Sequence, residues 1–336
     1  MKFLIGGLGS VGRRHLRNLI KLGERDILLY RTHRSTLPEA ELAGFPVETD
    51  LRTALQHKPD AVIVSNPTAL HMDVAIPAAR AGCHLFLEKP VSHSLDGLDE
   101  LDNALCEGGG RLLVGFQFRF HPGLQRLSRL LAEGVIGRPL SARACWGEYL
   151  PGWHPWEDYR QSYSARPELG GGVILTLCHP FDYLRWLLGE VSELWAMAGH
   201  VGDLELTVED TAEVGLRFAN GALGSLHLDY NRRPPSHSLE ITGSLGVAHW
   251  DNADGGLSVY RAIPWEDGQD AGWKSFPAPP GFERNDMFLE EMRHFIAVAR
   301  GETKPSCNLQ DGKRALELAL AARASASEGR MIRLRG

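Results

Sequence analysis

"KFLIGGLGSVGRRHLRNL" occupies residues 2–19 and decides how the first third of the chain is read. Lys2–Gly6 has the look of a buried strand, with Phe3, Leu4 and Ile5 in a row. Gly7, Gly9 and Gly12 then space out as G-x-G-x-x-G, and a helix is predicted over Gly12–Leu22 with Leu16, Leu19 and Ile20 on one face. Strand, glycine turn and helix in this order are the setting in which the pattern holds a dinucleotide. The first glycine makes the tight turn, the second lets a pyrophosphate approach the backbone, and the third lets helix and strand pack closely. The phosphates then lie beside Ser10 and Val11, at the positive end of the helix. The competing reading is a glycine turn in an unrelated α/β protein.

The segments that follow repeat the theme. Ile27–Arg31, Ala61–Ser65, Leu85–Glu88 and Arg111–Phe116 read as strands, with helices at Met72–Ala81 and Leu98–Glu107. Continuous apolar strands alternating with helices predict a parallel sheet covered on both faces, an α/β Rossmann domain. The middle of the chain changes character. Leu140–Tyr149 is extended, and from Ser192 strand follows strand, with Asn220-Gly221 between two alternating runs as a hairpin signal. Further strands fit Ser238–Thr242, Val247–Asp251 and Leu257–Tyr260, followed by a linker at 276–284 and helices at Asn285–Arg300 and Leu309–Ser325. We expect an α+β second domain on a large, open, mainly antiparallel sheet of six strands. The expected boundaries are 1–121 for the dinucleotide domain and 122–336 for the substrate and oligomerisation domain, with the last helices packing back on the first.

A chain of 336 residues is too long for one comfortable core. Its 36 basic and 42 acidic residues give a net charge of −6, and no basic block is present, so a nucleic-acid partner is not expected. Cys83, Cys106, Cys145, Cys178 and Cys307 show no ligand or redox spacing, which predicts free thiols in a reducing cytoplasm and no metal site. "MKFLIGG" is too short an apolar run for a signal peptide, and nowhere do about 18 apolar residues run together to span a membrane.

The end of the second strand chooses the cofactor. NAD enzymes usually place a carboxylate there, on the ribose hydroxyls. Here Arg31, Thr32 and Arg34 stand instead. A carboxylate would repel a 2′-phosphate and an arginine fork would grip it, so NADP is favoured over NAD. The competing reading is a solvated arginine face.

"HLFLEKPVSH" (84–93) ends an apolar strand in Glu88, Lys89 and Pro90. In an open parallel sheet, ligands bind outside the carboxyl ends of the strands, which predicts an ammonium beside the nicotinamide. A surface ion pair is the alternative. Farther on, "LGGGVILTLCHPFDYLRWLLG" (169–189) has three glycines, then His179 and Asp182 one turn apart. Pro180 is cheap only in the first turn of a helix, so the helix is predicted to begin near His179. There the positive helix end favours the neutral imidazole that a general base needs. Before it, "CWGEYLPGWHPWEDYRQSYSAR" (145–166) reads as a long loop with three tryptophans and three tyrosines. Its Trp153, Trp156, Arg160 and Tyr163, together with Arg119 and Asp182, are candidates to hold a sugar-like ring; the alternative is that the aromatics plug a core.

Taken together, the Gly7–Gly12 loop, Glu88-Lys89-Pro90, and the Gly170–Gly172 triplet with His179 resemble the glucose–fructose oxidoreductase/inositol dehydrogenase/MocA family. "DAVIVSNPTALH" (60–71) and "GFQFRFHPG" (115–123) extend the likeness over nearly the whole chain. The resemblance implies hydride transfer between NAD or NADP and a hydroxyl or ketone of a sugar, cyclitol or nucleotide-sugar. It implies assembly as a homodimer or homotetramer through the open sheet. It also implies cofactor contacts from Asn66, Pro67, His71, Glu88, Lys89 and Gln117, a proton-transfer role for His179, and a substrate-facing Lys89. Family members carry an aspartate just upstream of the histidine; here Thr176 stands nearest, supplying a hydrogen bond at most. A dinucleotide sensor without turnover and a redox-assisted lyase or glycosidase are the competing functional readings.

Overall fold

The computed structural model describes residues 1–32, 37, 40–266 and 268–334. The chain divides into two compact units, one of residues 1–117, 168–170 and 284–316, the other of residues 118–167, 171–283 and 317–336.

The first unit holds six strands: β1 (Lys2–Gly6), β2 (Asp26–Tyr30), β3 (Val47–Glu48), β4 (Ala61–Val64), β5 (His84–Glu88) and β6 (Leu112–Gly115). They lie in the order β3-β2-β1-β4-β5-β6, and every pairing is parallel. All four residues of β4 and of β6 are buried, as expected of strands with helices on both faces. The helices are α1 (Ser10–Lys21), α2 (Leu51–Gln56), α3 (His71–Arg80) and α4 (Leu98–Gly108). On α1 the buried stripe is Gly12, His15, Leu16 and Leu19, the i, i+3, i+4, i+7 spacing of a helix face. Asp50 caps α2 by accepting from Thr53 N at 2.8 Å. Neither β3 nor α2 was expected: two strand residues and six helical ones leave no readable period.

The second unit begins with α5 (Pro122–Ala132), a helix the sequence reading passed over; Pro122 opens it and the His121 ring caps it. After β7 (Pro139–Gly147) come the short α6 (Val173–Thr176) and α7 (His179–Leu188). The helix thus starts at His179 with Pro180 in its first turn, as the proline requires. The strands β8 (Val191–Gly199), β9 (Thr211–Phe218), β10 (Leu223–Asp229), β11 (Ser236–Gly243), β12 (Gly246–Asp251), β13 (Leu257–Arg261) and β14 (Gly272–Phe276) follow, and after α8 (Arg284–Arg300) and α9 (Leu309–Glu328) comes β15 (Ile332–Arg333). The sheet runs β14-β13-β12-β11-β7-β10-β9-β8-β15, nine strands rather than the expected six. It is antiparallel except where β10 lies parallel to β7. The two edge strands are the ones no expectation named: β14 buries no face, and β15 pairs through two residues only. The Asn220-Gly221 signal marks a true hairpin turn, with Gly221 at φ 88° and Arg217 opposite Leu223.

Alternation along β9 and β11 gives this sheet one buried face, with Val214, Leu216, Leu239 and Ile241 inward. Helices α5, α6 and α7 touch its strands. On strands β8 and β10, Trp195, Met197 and Leu223 are exposed large apolar side chains, with Met197 60 % exposed. Within the first unit, α8 packs on α1, β5 and β6.

Candidate active site

The carboxyl ends of β1, β4 and β5 are level, because Gly6 pairs with Val64 and Val64 with Leu87. The residues just beyond those pairs, Gly7, Ser65 and Glu88, therefore form one edge. Gly7 has φ +93°, and a Cβ there would stand 2.4 Å from Asn66 N. A Cβ on Gly12 would stand 2.0 Å from the Gly7 carbonyl oxygen. Gly9 differs: a Cβ there would meet nothing within 4 Å, leaving open space over the loop. Ser10 and Val11 follow in the first turn of α1, where among the described residues no side chain caps the helix and none is acidic. A tight first glycine, an open second one and a packed third one match the cradle a dinucleotide pyrophosphate needs.

The loop is braced by residues the sequence reading did not single out. Ser65 Oγ donates to the Gly7 carbonyl at 2.9 Å. Buried Arg13 donates through Nε to the Leu8 carbonyl at 3.0 Å and through Nη2 to the Leu37 carbonyl at 3.2 Å. Asn66 Nδ2 donates to the Leu70 carbonyl at 2.7 Å, while its buried Oδ1 finds no hydrogen-bond partner among the described residues. Such an atom can take a donor from water or from a ligand. Pro67 caps the 3₁₀ turn Thr68–Leu70 beside it. His71 is buried between two carbonyls, Asn66 at 3.0 Å and Val91 at 3.3 Å, and burial lowers its pKa. It therefore shapes the cofactor edge by holding backbone in place.

At the end of β2 the described residues offer no carboxylate. Arg31 is only 7 % exposed and its backbone N donates to Glu48 O, so it is not part of a solvated face. Thr32 is exposed, and Arg34 lies outside the described residues. Glu48, opposite Tyr30, bonds His57 at 2.9 Å.

Glu88 is buried, with Oε1 2.7 Å from His15 Nε2 and Oε2 accepting from Lys89 N at 3.2 Å. Burial pushes its pKa up, and the His15 hydrogen bond and charge with the nearby Lys89 more than reverse this, holding it below the ordinary carboxylate value. Lys89 itself is half-buried, and its bond to Pro90 is cis. Gln117 is buried in the 3₁₀ turn after β6.

In the second unit, His179 is 1 % exposed in an aromatic wall. Its ring lies 4.9 Å from Phe118, edge to face, and 5.4 Å from Trp146. Trp146 in turn stacks on His237 at 4.3 Å, and Tyr183 Oη lies 3.2 Å from His237 Nε2. Buried Thr176 stands beside the Tyr230 phenol.

Two of the expected substrate contacts are committed to each other. Arg119 holds Asp182 through Nε–Oδ2 at 2.9 Å and Nη2–Oδ1 at 2.6 Å, with the two residues 6 % and 1 % exposed. The pair braces the first turns of α7, where His179 stands. Arg160 bonds Asp158 at 2.9 Å and also Glu205, which raises its pKa. Trp153 is half-buried edge-on to Tyr230, whereas Trp156 is 63 % exposed, so the loop aromatics divide between packing and surface. Tyr163 is half-buried. Around the glycine triplet the space is filled by protein. A Cβ would meet the Thr68 and His93 side chains at Gly170, the Tyr163 carbonyl at Gly171 and the Glu209 carboxylate at Gly172, the last at 2.4 Å.

A parallel sheet in the order 3-2-1-4-5-6 with the dinucleotide fingerprint in its first turn, joined to a mixed nine-stranded sheet, defines a two-unit dinucleotide-binding oxidoreductase. Comparison with known proteins gives the family. Residues 1–116 match the oxidoreductase family with NAD-binding Rossmann fold, and residues 124–249 the GFO/IDH/MocA C-terminal domain. The myo-inositol 2-dehydrogenase of Thermotoga maritima is 30 % identical over 349 residues, covering 99 % of this chain and 98 % of its own. The 1,5-anhydro-D-fructose reductase of Ensifer adhaerens is 29 % identical, covering 80 % and 78 %. A levoglucosan dehydrogenase in complex with NADH has the same fold, with TM-score 0.87 at 22 % identity over 100 % of this chain and 99 % of that one. The chain belongs to the GFO/IDH/MocA family and is an NAD(P)-dependent dehydrogenase or reductase. Among the described residues no helix is long and apolar enough to cross a membrane.

Proposed function

We propose that this protein interconverts a hydroxyl and a ketone on a sugar, cyclitol or nucleotide-sugar, with NADP preferred over NAD. The observation that carries the reading is Lys89, set at the carboxyl end of β5 in a sheet whose first turn is built for a dinucleotide pyrophosphate. Relatives named for inositol and anhydrofructose support the substrate class. A strand end with Tyr30, Arg31 and Thr32 and no carboxylate supports the preference for a 2′-phosphate.

When bound, the nicotinamide exchanges a hydride with the substrate carbon. Gly7, Gly9, Ser10, Val11 and Gly12 hold the pyrophosphate, and Asn66 and Pro67 line the same edge. His179 takes the hydroxyl proton in oxidation and returns it in reduction. Lys89 stabilises the oxygen as it becomes an alkoxide, the usual part of a preorganised cation. Thr176, without charge, contributes a hydroxyl where family members have a carboxylate. Trp153, Trp156 and Tyr163 offer ring faces and Arg160 a charged rim to the sugar.

The exposed Trp195, Met197 and Leu223 on β8 and β10 support assembly of two or four copies through this sheet. Five free cysteines support a reducing, cytoplasmic setting.

The test is absorbance at 340 nm with NADP and NAD across polyols, anhydrosugars and nucleotide-sugars. Turnover should appear with one substrate group. Lys89→Met and His179→Asn should each lower kcat by roughly 10²–10⁴ while dinucleotide binding persists. Dinucleotide binding without turnover of any member of the panel would instead identify a sensor.

A further inference from the structure

One carboxylate joins the helix behind the glycine loop to the strand end that carries Lys89. Glu88 closes β5 and is buried, its Oε1 2.7 Å from Nε2 of His15 and its Oε2 on the backbone N–H of Lys89 at 3.2 Å. A carboxylate only accepts, so His15 donates through Nε2–H. His15 is wholly buried on α1, three residues after Gly12, with its ring edge-on to Phe86 at 4.7 Å and to Phe288 at 6.4 Å. Those rings fix the imidazole. The other side of the carboxylate is fixed by Gly115, opposite Glu88 in register: a Cβ there would come within 3.3 Å of the Glu88 carboxyl carbon.

Burying a carboxylate is expensive unless hydrogen bonds replace its water. Glu88 accepts both of its replacements from parts of the cofactor edge that are far apart in sequence: α1, which meets the phosphates, and the amide of Lys89. The same carboxylate thus ties the imidazole on α1 to the backbone N–H of the residue whose ammonium does the work proposed above. We infer that Glu88 and His15 are a positioning pair, which transmits the seating of a dinucleotide on α1 to the backbone of Lys89 and so sets where its ammonium stands. The inference rests on the role proposed above for Lys89. It removes Glu88 from the cofactor contacts and gives the Glu-Lys-Pro segment a division of labour: Glu88 fixes the backbone that Lys89 extends from.

The experiment uses the full chain and NAD⁺ or NADP⁺ as the probe. Amide hydrogen exchange at Lys89 is read by NMR in the wild type, in His15→Gln, in Glu88→Gln and in the double variant. Dinucleotide should slow exchange at Lys89 in the wild type by about tenfold, and either substitution should abolish that response. The double variant should be no worse than either single one, because both remove one link. Dinucleotide dissociation constants from fluorescence titration should stay within about threefold, while kcat falls roughly ten- to a hundredfold, the cost of misplacing a group by about 1 Å. If Glu88→Gln does not fold, Gly115→Ala, whose methyl presses on the Phe86 ring at 3.2 Å and on the Glu88 carboxyl carbon at 3.3 Å, disturbs both members of the pair without removing either and should weaken the same response. A Lys89 amide in His15→Gln that still responds to dinucleotide as in the wild type overturns the inference. Failure of the underlying reading shows separately, as wild-type turnover by Lys89→Met.

Discussion

Arg119 and Asp182, 63 residues apart, meet as a two-point ion pair in the interior of the second unit, and between them they fix the first turns of the helix that carries His179. Removing one member leaves the other charged and without its partner in a place water does not reach, which costs about 3–5 kcal/mol. Asp182→Ala should therefore lower the midpoint of urea unfolding sharply. Arg119→Met with Asp182→Val, which removes both charges and leaves the space filled with apolar atoms, should recover much of the loss. Equal destabilisation in the single and double variants would contradict this account.

Gly12 and Gly9 of the cofactor loop should respond differently to one added methyl. Gly12→Ala places a carbon 2.0 Å from the Gly7 carbonyl, against backbone that has nowhere to move, so the unit should be strongly destabilised. Gly9→Ala points into open space, so thermal unfolding should shift little. Its penalty belongs to the pyrophosphate, which would meet the new methyl. Gly9→Ala should keep its Tm within about 2 °C, since small surface changes stay near 0.5 kcal/mol, while dinucleotide affinity measured by fluorescence falls at least about tenfold. Unchanged affinity would mean that the pyrophosphate lies elsewhere.

Gly172 makes a third case, because it is bound by both space and conformation. Its φ is +106°, and a Cβ would stand 2.4 Å from Glu209 Oε1. Burial raises the pKa of that carboxyl, although its own backbone N–H, the charge of Arg323 and the Ile174 N–H draw it back down. Gly172→Ala should cost more than the roughly 1 kcal/mol of strained backbone alone. Adding Glu209→Ala should relieve the clash but leave the strain, so the two changes should be less than additive in denaturant titrations. Strict additivity would show that the carboxylate is not what excludes the methyl.

Why some of this was legible in sequence and some was not follows from range. The glycine loop could be read because each glycine answers a local need: turn, approach or packing. The start of α7 could be read because Pro180 is tolerated only in a first turn. Strands β1, β4 and β5 announced themselves as unbroken apolar runs. The edge strand β14 did not, because an edge has no second face to bury. The pairing of Arg119 with Asp182 did not show, because a charge in a promising segment says nothing of a partner 63 residues away. His15 was legible in principle. It is a polar residue on the stripe that includes Leu16 and Leu19, and a polar group on a buried stripe needs a partner. Nothing local pointed to Glu88 as that partner, since a Glu-Lys pair at a strand end reads as facing the crevice or the surface rather than a helix.

His121 should make the second unit acid-sensitive. Burial among Phe118, Trp250 and Phe282 pushes its pKa down to about 4 from 6.5. Its Nδ1 accepts from Gly123 N at 3.1 Å and caps α5. Protonation would replace that acceptor with a second donor and break the cap. Because the unfolded chain takes up the proton near 6.5 and the folded one only near 4, the stabilisation is whole above about pH 6.5. It is lost progressively as pH falls toward 4, by roughly 3 kcal/mol in all. His71, also lowered by burial, adds to the same slope, whereas His227, raised first by its hydrogen bond to Asp229 despite partial burial, opposes it. The measurement is therefore a difference: urea unfolding at pH 5 and pH 7.5 for the wild type and for His121→Asn, which keeps a capping acceptor and cannot titrate. The variant should lose clearly less stability between the two pH values, by at least about 1 kcal/mol. Parallel losses in the two proteins would show that His121 does not carry the acid response.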